Sequence, residues 1–312
     1  MTEIICGVDV SSEALDARIG RDGAEVRTAA TPEGVASLAA FCQEHRVTLV
    51  VMEATGGYEK LAHALLWDHG IPAAIVNPRS VRRFAEAMGF LEKTDRIDAG
   101  VIAWYAEVKR IVAQEPPSAA QEHLRALVTR LRQLTELRTM QSNQRRLVGD
   151  PEVHGLFSDL MALLARQSRA LEAKIAAFIG SDPLWQELDA CFRSVKGVAD
   201  RTVARIMAEM PEIGTLSNKA VAKLAGLAPL AKDSGKSHGK RVTRGGRANL
   251  RNILFVIVGN VRHHNPDFAA LHERLTKAGK AKKVIRIALA RKLLVQLNAK
   301  ARDARKELAI AA

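Results

Sequence analysis

The sequence predicts an α/β domain followed by a mainly helical, strongly basic region. Three observations carry that reading. Strand-length apolar or alternating runs interchange with helical patterns up to about residue 115. Two long stretches with leucine at helical spacing follow. From Leu230 to Ala312 the chain then holds 20 Lys/Arg against 5 Asp/Glu, a local +15 in a 312-residue protein whose total is +13.

IICGVDV (4–10) reads as a buried strand. ALDARIG (14–20) and AEVRTAA (24–30) alternate around the turn Arg21-Asp22-Gly23, so the three form a meander. A helix is predicted from about Glu33 to His45, then a strand buried on both faces, VTLVVME (47–53). After Gly56-Gly57 a helix spans about Tyr58 to His69, IPAAIV (71–76) is a strand, and Asn77-Pro78 opens a helix through Met88. KTDRIDAGVIA (93–103) places Ile97, Val101, Ile102 and Tyr105 at helical spacing, and Pro116-Pro117 end that helix. The order β-β-β-α-β-α-β-α-α gives a mixed sheet over residues 1–115.

Residues 116–182 read as a helical hairpin. Leucines at 124, 127, 131, 134 and 137 mark one helix, from Ser118 to about Val148. Leu160, Leu163, Leu164, Leu171 and Ile175 mark a second, from about Asp159 to Ile179, with Gly149-Asp150-Pro151 and Gly155 as the break. The spacing suits a dimerising coiled coil, against which charges stand at several seam positions. Residues 183–312 form the third predicted domain. There SVKGVADRTVARIMAEM (194–210) and SNKAVAKLAGLAP (217–229) resemble a helix–hairpin–helix, with Gly197-Val198-Ala199 at the place of its Gly-x-Gly. KDSGKSHGKRVTRGGRANLR (232–251) reads as a glycine- and cation-rich loop leading into a helix.

Composition narrows the function. No apolar window approaches about 18 residues, which excludes a membrane-spanning helix. The start MTEIICGVDVSS lacks the pattern of a signal peptide, so a cytoplasmic location is expected. Cys6, Cys42 and Cys191 are odd in number and far apart in sequence, which suits a reducing compartment and argues against a disulfide frame or a cysteine zinc site. The basic block is interleaved with ILFVIVGNV and VIRIALARKLLVQL, so it is a folded basic domain with nucleic acid as its partner. The remaining 229 residues sum to −2, which assigns polyanion binding to one end of the chain.

Four acids stand out. Asp95 and Asp98 lie three residues apart on one helix face, where like charges repel by roughly 0.2–0.5 kcal/mol. Thr94 as an N-cap, with acids favoured by the helix dipole, explains Asp95 better than Asp98. Asp9 sits inside a buried strand and Glu53 ends the fourth strand, both costly places for an unpaired charge. The first and fourth strands are neighbours in such a sheet, so Asp9, Glu53, Asp95 and Asp98 converge at one end of it. An oxygen-only donor set suits Mg²⁺ or Mn²⁺, and two such ions clamp in-line phosphoryl transfer.

The succession GVDVS, VMEATGGYE and KTDRIDAGVIA resembles the DEDD-type, RuvC-like insertion-sequence transposases. These are the bridge-RNA-guided group of the IS-one-ten type, with the related Piv-type DNA invertases. The resemblance runs over nearly the whole chain and includes LAGLAPLAKDSGKSHGKRVTRGGR. It implies a ribonuclease H-like first domain, a coiled-coil hairpin and a transposase domain. It carries Asp9, Glu53, Asp95 and Asp98 over as metal-binding acids and Ser234 as the nucleophile. A guide RNA pairing with donor and target DNA follows, as does a homo-oligomer, dimer or tetramer, in which the serine of one subunit reaches the acids of another. A Piv-type invertase or a RuvC-like structure-specific nuclease without an RNA guide is the alternative, and a non-catalytic nucleic-acid-binding protein the third class.

Asp233-Ser234-Gly235 by itself is a common turn. What favours a nucleophile is its surroundings: Lys232, Lys236, Lys240, Arg241, Arg244, Arg247 and Arg251 would hold a phosphodiester and the charge that builds at phosphorus. Ser237 is the second candidate. Gly235-Lys236-Ser237 imitates the end of a P-loop, yet Leu230 stands where its first glycine belongs and no strand precedes it. His238, His263 and His264 read as phosphate or surface contacts.

Overall fold

The computed structural model describes residues 3–90, 95–231, 233–235, 237–239 and 241–311. Thr94, Lys232, Lys236 and Lys240 lie outside these, as do the side chains of Asp95, Ser237 and His238. The chain divides into two compact units, Met1–Pro117 and Ser118–Ala312.

In the first unit, strands β1 (Ile5–Val10), β2 (Ala14–Ile19), β3 (Glu25–Ala29), β4 (Leu49–Glu53) and β5 (Ala73–Val76) form one sheet in the order β3-β2-β1-β4-β5. β2 runs antiparallel to β1 and β3, whereas β1, β4 and β5 are parallel. Helices α1 (Pro32–Glu44) and α2 (Glu59–Asp68) cover one face through Leu38 and Leu66, against Val8 and Met52. Helices α3 (Pro78–Ala87) and α4 (Asp95–Lys109) cover the other through Val81 and Ile102, against Val51 and Ala74. Thr31 caps α1 and Asn77 caps α3, each with proline at the first helical turn.

α4 ends at Lys109, before the prolines expected to stop it. Arg110 turns left-handed at φ 50°. Its N–H donates to the Glu107 carbonyl and that of Ile111 to the Ala106 carbonyl. This 6→1 and 5→2 pair closes the helix by itself, with Ile111 packed against the core.

The second unit begins with α5 (Ala119–Arg145), capped by Ser118, and α6 (Pro151–Ile179), capped by Asp150. Gly155 lies within α6 and does not break it. An exposed glycine costs a helix only about 1 kcal/mol, and Asp150-Pro151 is already a strong start. Leu124, Val128 and Leu131 of α5 and Ile175 and Ile179 of α6 enter the core of this unit. Toward the far end of the pair apolar side chains face outward, with Leu147 89% and Leu156 69% exposed.

Helices α7 (Pro183–Arg193), α8 (Asp200–Glu209), α9 (Asn218–Leu224), α10 (Ala248–His264), α11 (Pro266–Lys277) and α12 (Lys282–Ala311) complete the unit. α12 supplies Leu289, Leu293, Leu297 and Ala301 to the core. Its buried Asn298 accepts from the Gly214 N–H and donates to the Leu216 carbonyl and Asn218 Oδ1. Between α9 and α10 the predicted loop is a β-hairpin of four short strands. Pro229–Leu230 (β6) pairs with Val242–Thr243 (β9), and Asp233–Ser234 (β7) pairs with Ser237–His238 (β8). None of the described helices is long and apolar enough to cross a membrane.

Candidate active site

The acids of the first unit gather where its parallel strands end. Val8 lies opposite Met52, so Asp9 and Glu53 are the next residues of β1 and β4 and share the face covered by α3 and α4. Asp98 comes from α4. Asp9, Glu53 and Asp98 line one cleft of about 440 Å³, walled on the α3 side by Arg79, Arg82 and Arg83. All three carboxylates are half-buried. The backbone of α4 begins at Asp95, whose side chain is outside the described residues.

Small residues bring α4 this close. A Cβ built on Gly7 would stand 2.0 Å from the Ala99 carbonyl oxygen and 2.5 Å from the Ala103 nitrogen. A Cβ on Gly100 would stand 2.4 Å from the Arg21 carbonyl oxygen. Strand and helix therefore meet backbone to backbone, with Asp98 next to that contact. Sequence reasoning passed over Gly7, because a glycine in a strand reads as a mere weakening of it.

It also passed over Glu59. This side chain is buried and its Oε2 accepts from the Thr55 N–H, the Thr55 hydroxyl and the Gly57 N–H. Burial raises its pKa, but these hydrogen bonds together with one from its own N–H outweigh burial and hold the carboxyl below its ordinary range. Glu59 thus ties down the Gly56-Gly57 turn that follows Glu53; an acid shortly after two glycines was the available signal. Behind it, burial pushes the His63 pKa down, with Nε2 3.4 Å from the Ala73 carbonyl oxygen.

A divalent ion can be tested against this cleft by the chemistry of its donors. Carboxylate oxygens from two strands and a helix are the hard ligands that Mg²⁺ and Mn²⁺ take. Among the described residues no three His, Cys, Asp or Glu side chains form a ready-made ion cage. The donor set therefore fits by type and location, and Asp95 is the predicted fourth member.

Ser234 stands at the exposed tip of the hairpin, opposite Ser237 across the β7–β8 pair, with Gly235 left-handed at φ 53°. Arg241 lies 3.6 Å from Asp233, and Arg244 is exposed. Arg247 and Arg251 are used differently. Arg247 makes a two-pronged bridge to Glu212 at 2.5 and 2.7 Å and donates to the Glu209 carbonyl. Arg251 donates to the Gly245 carbonyl at 2.6 Å. Both hold the hairpin base from within the fold. So do three glycines: Cβ atoms on Gly226 and Gly246 would stand 2.1 Å from the Gly245 oxygen and 2.2 Å from the Gly226 nitrogen. Gly197, predicted to serve a phosphate-binding hairpin, packs on α10, where its Cβ would meet the Val261 Cα at 2.7 Å. Of the histidines, His263 and His272 accept from Arg262.

A sheet of order 3-2-1-4-5 in which only the second strand is reversed is the ribonuclease H-like arrangement. With acids at the ends of its adjacent parallel strands, and a basic helical unit following, it defines an enzyme that acts on nucleic acid. The comparisons make this particular. Residues 6–148 match the DEDD type of IS110 proteins, described as Transposase, and residues 189–273 match the family described as Transposase IS116/IS110/IS902. The chain belongs to the IS110 family of transposases and is a DNA recombinase. It is 29% identical to the pilin gene-inverting protein of Moraxella bovis over 311 residues, spanning 94% of each chain, with the same figures for that of Moraxella lacunata. The Insertion element IS110 uncharacterized 43.6 kDa protein of Streptomyces coelicolor is 33% identical over 156 residues, 49% of this chain and 37% of that one. The Thermus thermophilus RuvC structure aligns with 35% of this chain and 98% of its own at 14% identity and a TM-score of 0.25.

Proposed function

We propose that the chain cuts and rejoins DNA through Ser234, with Asp9, Glu53, Asp95 and Asp98 holding divalent metal. The observation that carries this reading is the cleft shared by Asp9, Glu53 and Asp98. Bound Mg²⁺ or Mn²⁺ would supply Lewis-acid stabilisation of charge at the transferring phosphate. Asp9 and Glu53 orient that chemistry from rigid strand ends, and Asp98 from a helix locked against Gly7. The Ser234 hydroxyl attacks phosphorus. An Oγ–P bond forms, one P–O bond of the strand breaks, the serine proton passes to solvent and the leaving sugar oxygen takes a proton up. Attack by a sugar hydroxyl of the partner strand reverses the step and frees the serine. Arg241 and Arg244, with Lys232, Lys236 and Lys240, hold phosphates around the reacting one.

Donor and target choice through a bridge RNA is part of this reading, as is a homo-oligomer that combines the serine of one subunit with the acids of another. The inverting function in the name of the Moraxella relatives offers the second reading, a site-specific inversion without a guide. Sequencing the RNA that copurifies with the protein separates them.

The decisive experiment traps the reaction with detergent. Wild-type protein should carry covalently attached DNA, whereas Ser234→Ala should carry none. Asp9→Ala, Glu53→Ala, Asp95→Ala or Asp98→Ala, or EDTA, should abolish strand exchange while DNA binding survives. Recombination by Ser234→Ala would leave a plain nuclease mechanism in place of the serine route.

A further inference from the structure

The acidic cleft has a basic wall. α3 is held against the sheet by Val81 and Ala85, which are buried. Arg79, Arg82 and Arg83, spaced three and four residues apart on one side of this helix, line the cleft with Asp9, Glu53 and Asp98. Arg82 is drawn to Glu86, with Nε 3.1 Å from Oε1. Arg79 and Arg83 are exposed and form no ion pair among the described residues.

A cluster of carboxylates repels the strand it has to process. Bound metal offsets this only where the metal sits, and the phosphates on either side still approach a field of negative charge. A guanidinium on the cleft wall answers this, because its planar fork matches phosphate oxygens. We propose that Arg79 and Arg83 contact backbone phosphates flanking the one at the acids, giving the first unit its own hold on DNA. This deepens the reading of the cleft as the place where DNA is processed, and rests on it. A net charge of −2 over residues 1–229 conceals such a hold, because binding depends on local charge and not on the sum.

The test is the salt dependence of binding of a random-sequence duplex to the full-length protein. Each phosphate contact contributes about 0.9 to the slope of log K against log salt. Arg79→Gln/Arg83→Gln should therefore flatten the slope by about 1.8. Arg79→Lys/Arg83→Lys should keep it, and Arg46→Gln/Lys109→Gln, exposed cations outside the cleft lining, should leave it unchanged. A wild-type slope in the glutamine variant overturns the proposal, as does an equal loss in the Arg46/Lys109 control. Mn²⁺ titration followed by electron paramagnetic resonance is run alongside. If wild-type protein takes up no Mn²⁺, the metal reading of the cleft fails while the slopes still decide the role of the arginines.

Discussion

Gly7 and Ala99 stand so close that no side chain fits between them: a Cβ on Gly7 would lie 2.0 Å from the Ala99 carbonyl oxygen. Gly7 is two residues before Asp9, and Ala99 is the residue after Asp98. The contact that packs α4 on β1 therefore also sets the separation of two of the acids.

Gly7→Ala is accordingly expected to act on catalysis more than on folding. Overpacking costs about 1–3 kcal/mol, which a unit of this size can absorb. A displacement of α4 by about 1 Å misplaces Asp95 and Asp98, and misplacements of that size cost about 100-fold in rate. Urea unfolding together with strand-exchange rates checks this. A variant that melts lower but recombines at the wild-type rate would show that the contact serves packing alone.

The Arg247–Glu212 bridge should make the base of the serine hairpin sensitive to acid. Burial raises the pKa of Glu212, but the hydrogen bond from Arg247, one from its own N–H and the charges of Arg247 and Arg125 together outweigh burial and hold the carboxyl below its ordinary range. A depressed carboxyl pKa contributes stability that is complete above the unfolded-state value and lost as pH falls through the folded one. Both partners are about a third exposed, so Glu212→Gln should cost about 1–2 kcal/mol at neutral pH and less in acid, where wild type has lost the same bridge. Denaturant midpoints of the two proteins converging below the ordinary carboxylate range is the expected result. A constant gap across pH would mean that shape, not charge, holds this corner.

Assembly should be testable by complementation. Mixing inactive Asp9→Ala protein with inactive Ser234→Ala protein should restore some strand exchange, because some sites then pair intact acids with an intact serine. Leu156→Glu, placed among the exposed apolar residues at the far end of α5 and α6, should lower the mass of the oligomer in sedimentation and reduce that rescue. A mixture that stays inactive although mixed oligomers form would put the whole site in one chain.

Much of the first unit was legible because its signals are local. Strand runs, caps such as Asn77-Pro78 and acids at strand ends are all properties of short segments. Features that depend on distant partners were not. Arg247 looks like any other cation in a basic run until Glu212 is found beside it. Arg79 and Arg83 disappear into a near-neutral sum, and Gly7 has no visible purpose until α4 lies on it. The long break expected between the helices of the hairpin shows a different failure: Gly155 reads as punctuation, whereas the Asp150 cap directly before Pro151 has already decided the boundary.

The glycine clasp at Gly226, Gly245 and Gly246 has a consequence for inheritance. It makes the chain leave and rejoin the helical core at a single point, so everything between is a closed excursion. Lengthening such an excursion is cheap, about 0.6 kcal/mol for each doubling. The tip bearing Ser234 can therefore gain, lose or exchange residues while the core around α10 and α12 keeps its packing, so its length and chemistry can change without the rest of the unit relearning how to fold.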